Sequence, residues 1–225
     1  MTGTLMNTAA VLAGTAIGLI LRSRIPHHFG SELIRVMGLF TLVIGLRNAW
    51  DSPALLVTLI CVVLGTIIGM AFKLDDRFNG LGDAAKLKLG KMAEGRFTEG
   101  LVAASLLFCI GPMTVMGSIA DGLRGDYSIL AMKSVMDGVT SMAMASTMGI
   151  GVGFSAIVVL IVQGAITLAA GFLEPIMTEL MISHITAAGG LILMGLGFNL
   201  SLKAGIKAGN MLPALIVAAI AAAIL

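Results

Sequence analysis

A chain of 225 residues that is 58% hydrophobic and only 12% charged, with a mean hydropathy of +1.04, is not a water-soluble domain, where about 25% of residues carry charge. The formal charge of +2 comes with no basic patch interleaved with aromatics, so no nucleic-acid partner is expected. Cys61 and Cys109 both fall inside apolar runs; they read as buried thiols, not as a disulfide framework or a metal site.

The apolar runs predict an all-α, polytopic helical membrane protein, since an open strand edge is not tolerated in lipid. Eight spans follow in chain order: 3–21, 32–50, 53–73, 100–121, 128–149, 152–172, 181–201 and 211–225. Most reach the ~18–20 apolar residues that cross a bilayer; the last is short. The first lacks the basic flank of a signal peptide and is followed by Arg22 and Arg24, so it reads as a span that stays. His27 and His28 after Pro26 read as a surface pair.

The connection 74–99 holds most of the charge. Leu81, Ala85, Leu89 and Met92 recur at helical spacing opposite Asp83, Lys86 and Glu94, the pattern of an amphipathic helix on the membrane surface or of a solvated linker helix. Lys and Arg concentrate in the loops 22–31, 74–99 and 202–210, whereas 173–180 carries Glu174 and Glu179. Eight spans with both termini outside put all three basic loops in the cytoplasm.

Two stretches resemble each other. Gly38, Leu39 and Gly45 align with Gly190, Leu191 and Gly197 at a constant offset of 152, and 52–57 aligns with 212–217 at an offset of 160. If spans one to three recur as spans six to eight, an odd number of crossings separates equivalents and the repeats are inverted, a recurrent plan of secondary transporters. One membrane domain over 1–225 then comprises repeat one (1–73), a cytoplasmic connector (74–99), a central hairpin (100–150) and repeat two (151–225).

The hairpin concentrates the unusual chemistry. Pro112 removes an amide donor and Gly111 loosens the same turn; the carbonyls freed near Cys109 need side chains, water or a cation. Lys133 and Asp137 are spaced i, i+4 and share a helix face. Asp137 lies roughly 13 Å beyond the start of its span, close to the membrane centre, where ionisable side chains are costly and functional by default. Ser134 adds a hydroxyl beside the pair, and Asp121 precedes Gly122 where the broken span reaches the surface. Thr140, Ser141, Ser146 and Thr147 are expected to bond backbone or neighbouring helices. Asn7, Arg47, Gln163 and Asn199 are further polar groups near or within spans; Arg47 and Asn199 fall near helix ends and read as interface anchors.

The stretches LVAASLLFCIGPMTVMGSIADGLRGD, KSVMDG and ASTMGIGVGFSA, with the ending GGLILMGLGFNLSLKAGIKAGNMLPAL, resemble the bacterial and archaeal membrane family known as domain of unknown function 554. The likeness covers essentially the whole chain. It rests on Gly111, Pro112, Gly117, Asp121, Gly122, Lys133, Ser134, Asp137 and Gly138, and implies a multi-pass protein of the prokaryotic inner membrane. Its name carries no substrate.

No nucleophile motif, His/Cys metal spacing or phosphate-binding glycine loop is present in the sequence, so no enzyme is expected. The leading expectation is an ion-coupled transporter or ion-conducting protein for a small solute or ion. Asp137 would bind a coupling proton or sodium ion, with Lys133, Ser134, Asp121, Gly111, Pro112 and Cys109 completing the site. The alternative is a non-transporting scaffold or sensor whose connector docks a partner through Lys86, Lys88 and Lys91. Apart from the bilayer and the solute, glycine-rich faces suit a homodimer, and no cofactor is expected.

Overall fold

The computed structural model describes residues 1–22, 27–50, 52–90 and 96–224, with backbone alone at 27–30, 81, 85, 88 and 89. Arg24, Asp51, Lys91, Met92 and Glu94, and the side chains of His27, His28, Leu81, Ala85, Lys88 and Leu89, lie outside the described residues. Every regular element described is helical: α1 (Thr2–Arg22), α2 (His27–Trp50), α3 (Leu55–Ala71), α4 (Leu74–Leu89), α5 (Phe97–Cys109), α6 (Pro112–Arg124), α7 (Ser128–Met148), α8 (Gly151–Leu168), α9 (Ala170–Leu173), α10 (Glu179–Leu202), a 3-10 turn (Ala208–Met211) and α11 (Ala214–Ile224).

Among the described residues four helices are long and apolar enough to cross a membrane: α1, α2 from Ser31, α8 and α10. The count reaches six if α3 with α4, and α5 with α6, each make one bent span. The sequence expectation of eight adds α7 and α11. The first is 21 residues long but carries Lys133 and Asp137, which lower its hydropathy; the second has only 11 residues.

The chain forms two compact units, each drawing helices from both halves of the sequence: Met1–Ile34 with Leu81–Ile176, and Arg35–Gly80 with Met177–Leu225. In the first, α1 turns a face of small and polar residues inward (Gly3, Thr4, Asn7, Val11, Gly14, Thr15, Gly18) and leaves Leu12, Ile17 and Ile20 outside. The α7 helix does the same, burying Lys133, Ser134, Asp137 and Ser141 while Val135, Met136 and Val139 are exposed. Large apolar groups outward and small or polar groups inward is the packing of a helix bundle in lipid, where hydrocarbon tails solvate leucine as well as the protein core does.

That inversion lets backbones touch. A methyl built on Gly14 would lie 2.1 Å from the Gly138 carbonyl oxygen, and one on Gly18 would lie 2.3 Å from that of Met142. The Gly14-x-x-x-Gly18 pair therefore lets α1 lie directly against α7.

In the second unit α2 crosses α10 on glycines from both helices. Gly38 abuts Ser201 and the Gly197 carbonyl, and Gly45 abuts the Gly190 carbonyl and Met194. Gly65 of α3 rests on Ala214 of α11, beside a small core of Cys61, Val62, Ala188, Ala214 and Ala218. The loop after α10 is fastened to the start of α4: Asn210 Oδ1 accepts from Asp75 N and Asp75 Oδ1 accepts from Gly209 N, both at 2.9 Å, and Lys207 pairs with Asp76 at 3.0 Å.

Candidate functional site

The break between α5 and α6 is built by three residues. Cys109 ends α5, Pro112 occupies the first turn of α6, where its missing N–H costs nothing, and the two axes differ by 63°. Gly111 between them has φ 155 and ψ 155, a conformation open in practice to glycine alone. One of the freed acceptors, the Phe108 carbonyl, takes the Thr114 hydroxyl at 3.2 Å.

Lys133 and Asp137 form a buried ion pair, 7% exposed each, with the Lys133 ammonium on Asp137 Oδ2. The i, i+4 spacing puts both on one face of α7, and the packing of α1 turns that face inward. Asn7 of α1 then donates its amide to the same carboxylate oxygen at 2.9 Å. A buried carboxylate is tolerable only with a counter-ion and further donors; this one has both.

Cys109 comes within electrostatic reach of both Lys133 and Asp137, so five of the sequence-predicted residues, Cys109, Gly111, Pro112, Lys133 and Asp137, gather around the break and the pair. Ser134 sits beside them, but its hydroxyl donates to its own helix at the Leu130 carbonyl, 2.7 Å away. Ser141, Ser146 and Thr147 also bond α7 carbonyls, as small hydroxyls in membrane helices do. Asp121, 4% exposed, stands apart from Asp137: it accepts from Gly3 N at 3.0 Å, and the Met1 amino group lies 3.0 Å from the same oxygen.

Sequence reasoning noted Asn7 and Gln163 only as polar groups near or within spans, and passed over Thr4 and Ser118. Asn7, Thr4, Ser118 and Gln163 are all 0% exposed, and Thr4 meets Thr167 hydroxyl to hydroxyl at 3.2 Å. The available signal was the spacing of Thr4, Asn7, Val11 and Gly14 on one stripe of α1, polar or small throughout. In the second unit His184 of α10 is also buried, with Nδ1 unpartnered among the described residues. A pocket of about 430 Å³ lined by Thr66, Met70, Ile206, Lys207, Asn210 and Met211 contains none of the expected site residues. Asn199 clamps the Ile206 backbone through both ends of its amide and so pins the loop after α10.

The model of one family, described as "Protein of unknown function (DUF554)", matches residues 2–223. The chain belongs to that family. It is 31% identical over 221 residues to the uncharacterized membrane protein YdfK of Bacillus subtilis (strain 168), covering 96% of this chain and 93% of the relative. It is 33% identical over 223 residues to the uncharacterized protein YqgA of Escherichia coli (strain K12), covering 96% and 94%. No solved structure matches. The membrane-protein relative and the apolar helices agree on a membrane protein, and the buried pair on α7 lies within the stretch KSVMDG.

Proposed function

We propose that the chain is an ion-coupled transporter or ion-conducting protein of the prokaryotic inner membrane, moving a small solute or ion without chemical conversion. The observation that carries this reading is the Lys133–Asp137 pair, buried mid-helix and tied to a second helix by Asn7. A proton or cation arriving at Asp137 neutralises its carboxylate and weakens its hold on both Lys133 and Asn7. The state of the site is thereby transmitted from α7 to α1, and a helix whose contacts depend on site occupancy is what a coupled transporter requires.

Eight crossings built from two inverted three-helix repeats around α5–α7 belong to the same proposal. The α2–α10 crossing supports it: Gly38 pairs with Gly197 and Gly45 with Gly190. Under the offset of 152 that exchanges Gly38 with Gly190 and Gly45 with Gly197, each contact maps onto the other, the signature of a local two-fold axis. The other repeat-equivalent helices also pack in pairs, α1 with α8 and α3 with α11.

The test uses purified protein in proteoliposomes under imposed proton and sodium gradients, recording current and internal pH. Wild type should give a gradient-driven signal that Asp137→Asn loses at equal folded yield; a signal unchanged in the variant removes Asp137 from the mechanism. A scaffold that docks a partner through α4 draws on the exposed Phe78 and Leu87 of that helix. It requires Lys86→Ala, not Asp137→Asn, to abolish function.

A further inference from the structure

In the first unit Thr15 Oγ1 and Ser105 Oγ, and with them Asn7 Oδ1, Ser118 Oγ and both polar atoms of Gln163, are buried with no hydrogen-bond partner among the described residues; the last three side chains share one region. Unpaired amides and hydroxyls are costly in a dry interior and are normally satisfied, so three such side chains in one region call for an occupant. They lie close together by register. Thr4 meets Thr167 across α1 and α8, which run antiparallel because Thr15 in turn meets Gly153. Asn7 and Gln163 follow on the same faces, each about one turn deeper. Ser118 stands one turn before Gly122, which packs on the Thr167 carbonyl.

The chemistry of the occupant follows from Asn7. Its Nδ2 is committed to Asp137, and turning the amide over would aim oxygen at carboxylate oxygen. Asn7 therefore keeps its carbonyl oxygen turned away from Asp137 as a free acceptor, and the carboxylate behind the amide polarises that carbonyl further. Ser118 and Gln163 add a hydroxyl and a carboxamide oxygen, with the Thr4 and Thr167 hydroxyls one turn away. These are neutral, hard oxygens. Divalent ions draw on carboxylates, and transition metals on imidazole and thiolate; neutral oxygens suit an alkali cation.

We infer that Asn7, Ser118 and Gln163 hold a dehydrated alkali cation beside the Lys133–Asp137 pair. Bound at Asn7 Oδ1, the cation draws electron density through the amide, tightens its N–H bond to Asp137 and competes with Lys133 for the shared oxygen. Its use as a coupling ion rests on the transport reading above, with the ion then acting on Asp137 through Asn7 instead of by direct contact with the carboxylate; its binding does not.

The test is thermal unfolding of the purified full-length protein in detergent, in sodium, potassium and choline chloride at one ionic strength. A saturating alkali cation should raise the midpoint by about 5 °C over choline, and Gln163→Leu and Ser118→Ala should abolish the rise. In choline, Gln163→Leu should unfold no earlier than wild type, because no partner is lost. Equal midpoints of wild type in all three salts would mean the layer holds only water and overturn the inference. So would a rise that survives in both variants, or a Gln163→Leu protein much weaker in choline. Cation stabilisation without a gradient-driven signal in proteoliposomes defeats the transport reading alone; gradient-driven transport with no cation effect on unfolding defeats the ion site alone.

Discussion

Asn7 and Asp137, 130 residues apart in sequence, meet at 2.9 Å on the one carboxylate oxygen that also receives Lys133. A charge from the same helix and a neutral donor from another thus converge on a single atom, so the ion pair is also a joint between α1 and α7.

Removing one partner of that pair should be far worse than removing both. Lys133→Met leaves a buried carboxylate with only Asn7 as donor and should cost about 3–5 kcal/mol. Lys133→Met with Asp137→Asn keeps an acceptor for Asn7 and leaves no unpaired charge buried; it should cost less than half as much. Equilibrium unfolding in mixed micelles, arranged as a double-mutant cycle, reads the difference, and additive losses would show that the two charges do not interact.

Backbone contact between α1 and α7 makes a separate prediction. Gly14→Ala drives a methyl into the Gly138 carbonyl and the Ser141 hydroxyl and should cost about 1–3 kcal/mol. Gly171→Ala meets nothing within 4 Å and should leave stability unchanged or slightly raised. Comparable losses from both would mean that glycine acts here through the unfolded chain instead of through close packing.

The reciprocal crossing in the second unit predicts which substitutions couple. Gly45 and Gly190 lie against each other's carbonyl groups, so Gly45→Ala and Gly190→Ala should be non-additive by about 0.5–3 kcal/mol. Gly45→Ala with Gly38→Ala, two turns apart on different contacts, should add. Unfolding free energies of the single and double variants decide it.

A pH effect is expected at the loop that fastens α4. The hydrogen bond to Asp76, and then the attraction of its charge, raise the Lys207 pKa above the ordinary 10.5. The folded value exceeds the unfolded one, so the contribution of this tie is complete below about pH 10.5 and is lost as pH climbs through the folded value. The pair is exposed, and its effect on stability is correspondingly small. NMR titration of the Lys207 ammonium should show a midpoint above that of free lysine, returning toward it in Asp76→Asn.

Much of this protein is written locally. Composition alone fixes an apolar helical chain, because a backbone in lipid must satisfy its own hydrogen bonds. The Gly111–Pro112 break follows from one missing donor and one glycine-only conformation, and the Lys133–Asp137 pair from the pitch of a single helix. Helix pitch and proline chemistry act over a few residues, so a reader of sequence can see their results.

Tertiary structure decided what those features face. Nothing near Asn7 in sequence announces Asp137, and nothing near Thr167 announces Thr4; each meeting depends on which glycine stripe of one helix fits against the backbone of another. Apolarity is a weak guide to that choice in lipid, since leucine gains little by turning inward. Small residues that permit close approach, and polar groups that must find partners, select the faces instead, and their partners lie more than a hundred residues away. Ser134 shows the converse: its position beside the pair was legible, but only the folded helix shows its hydroxyl turned to the Leu130 carbonyl.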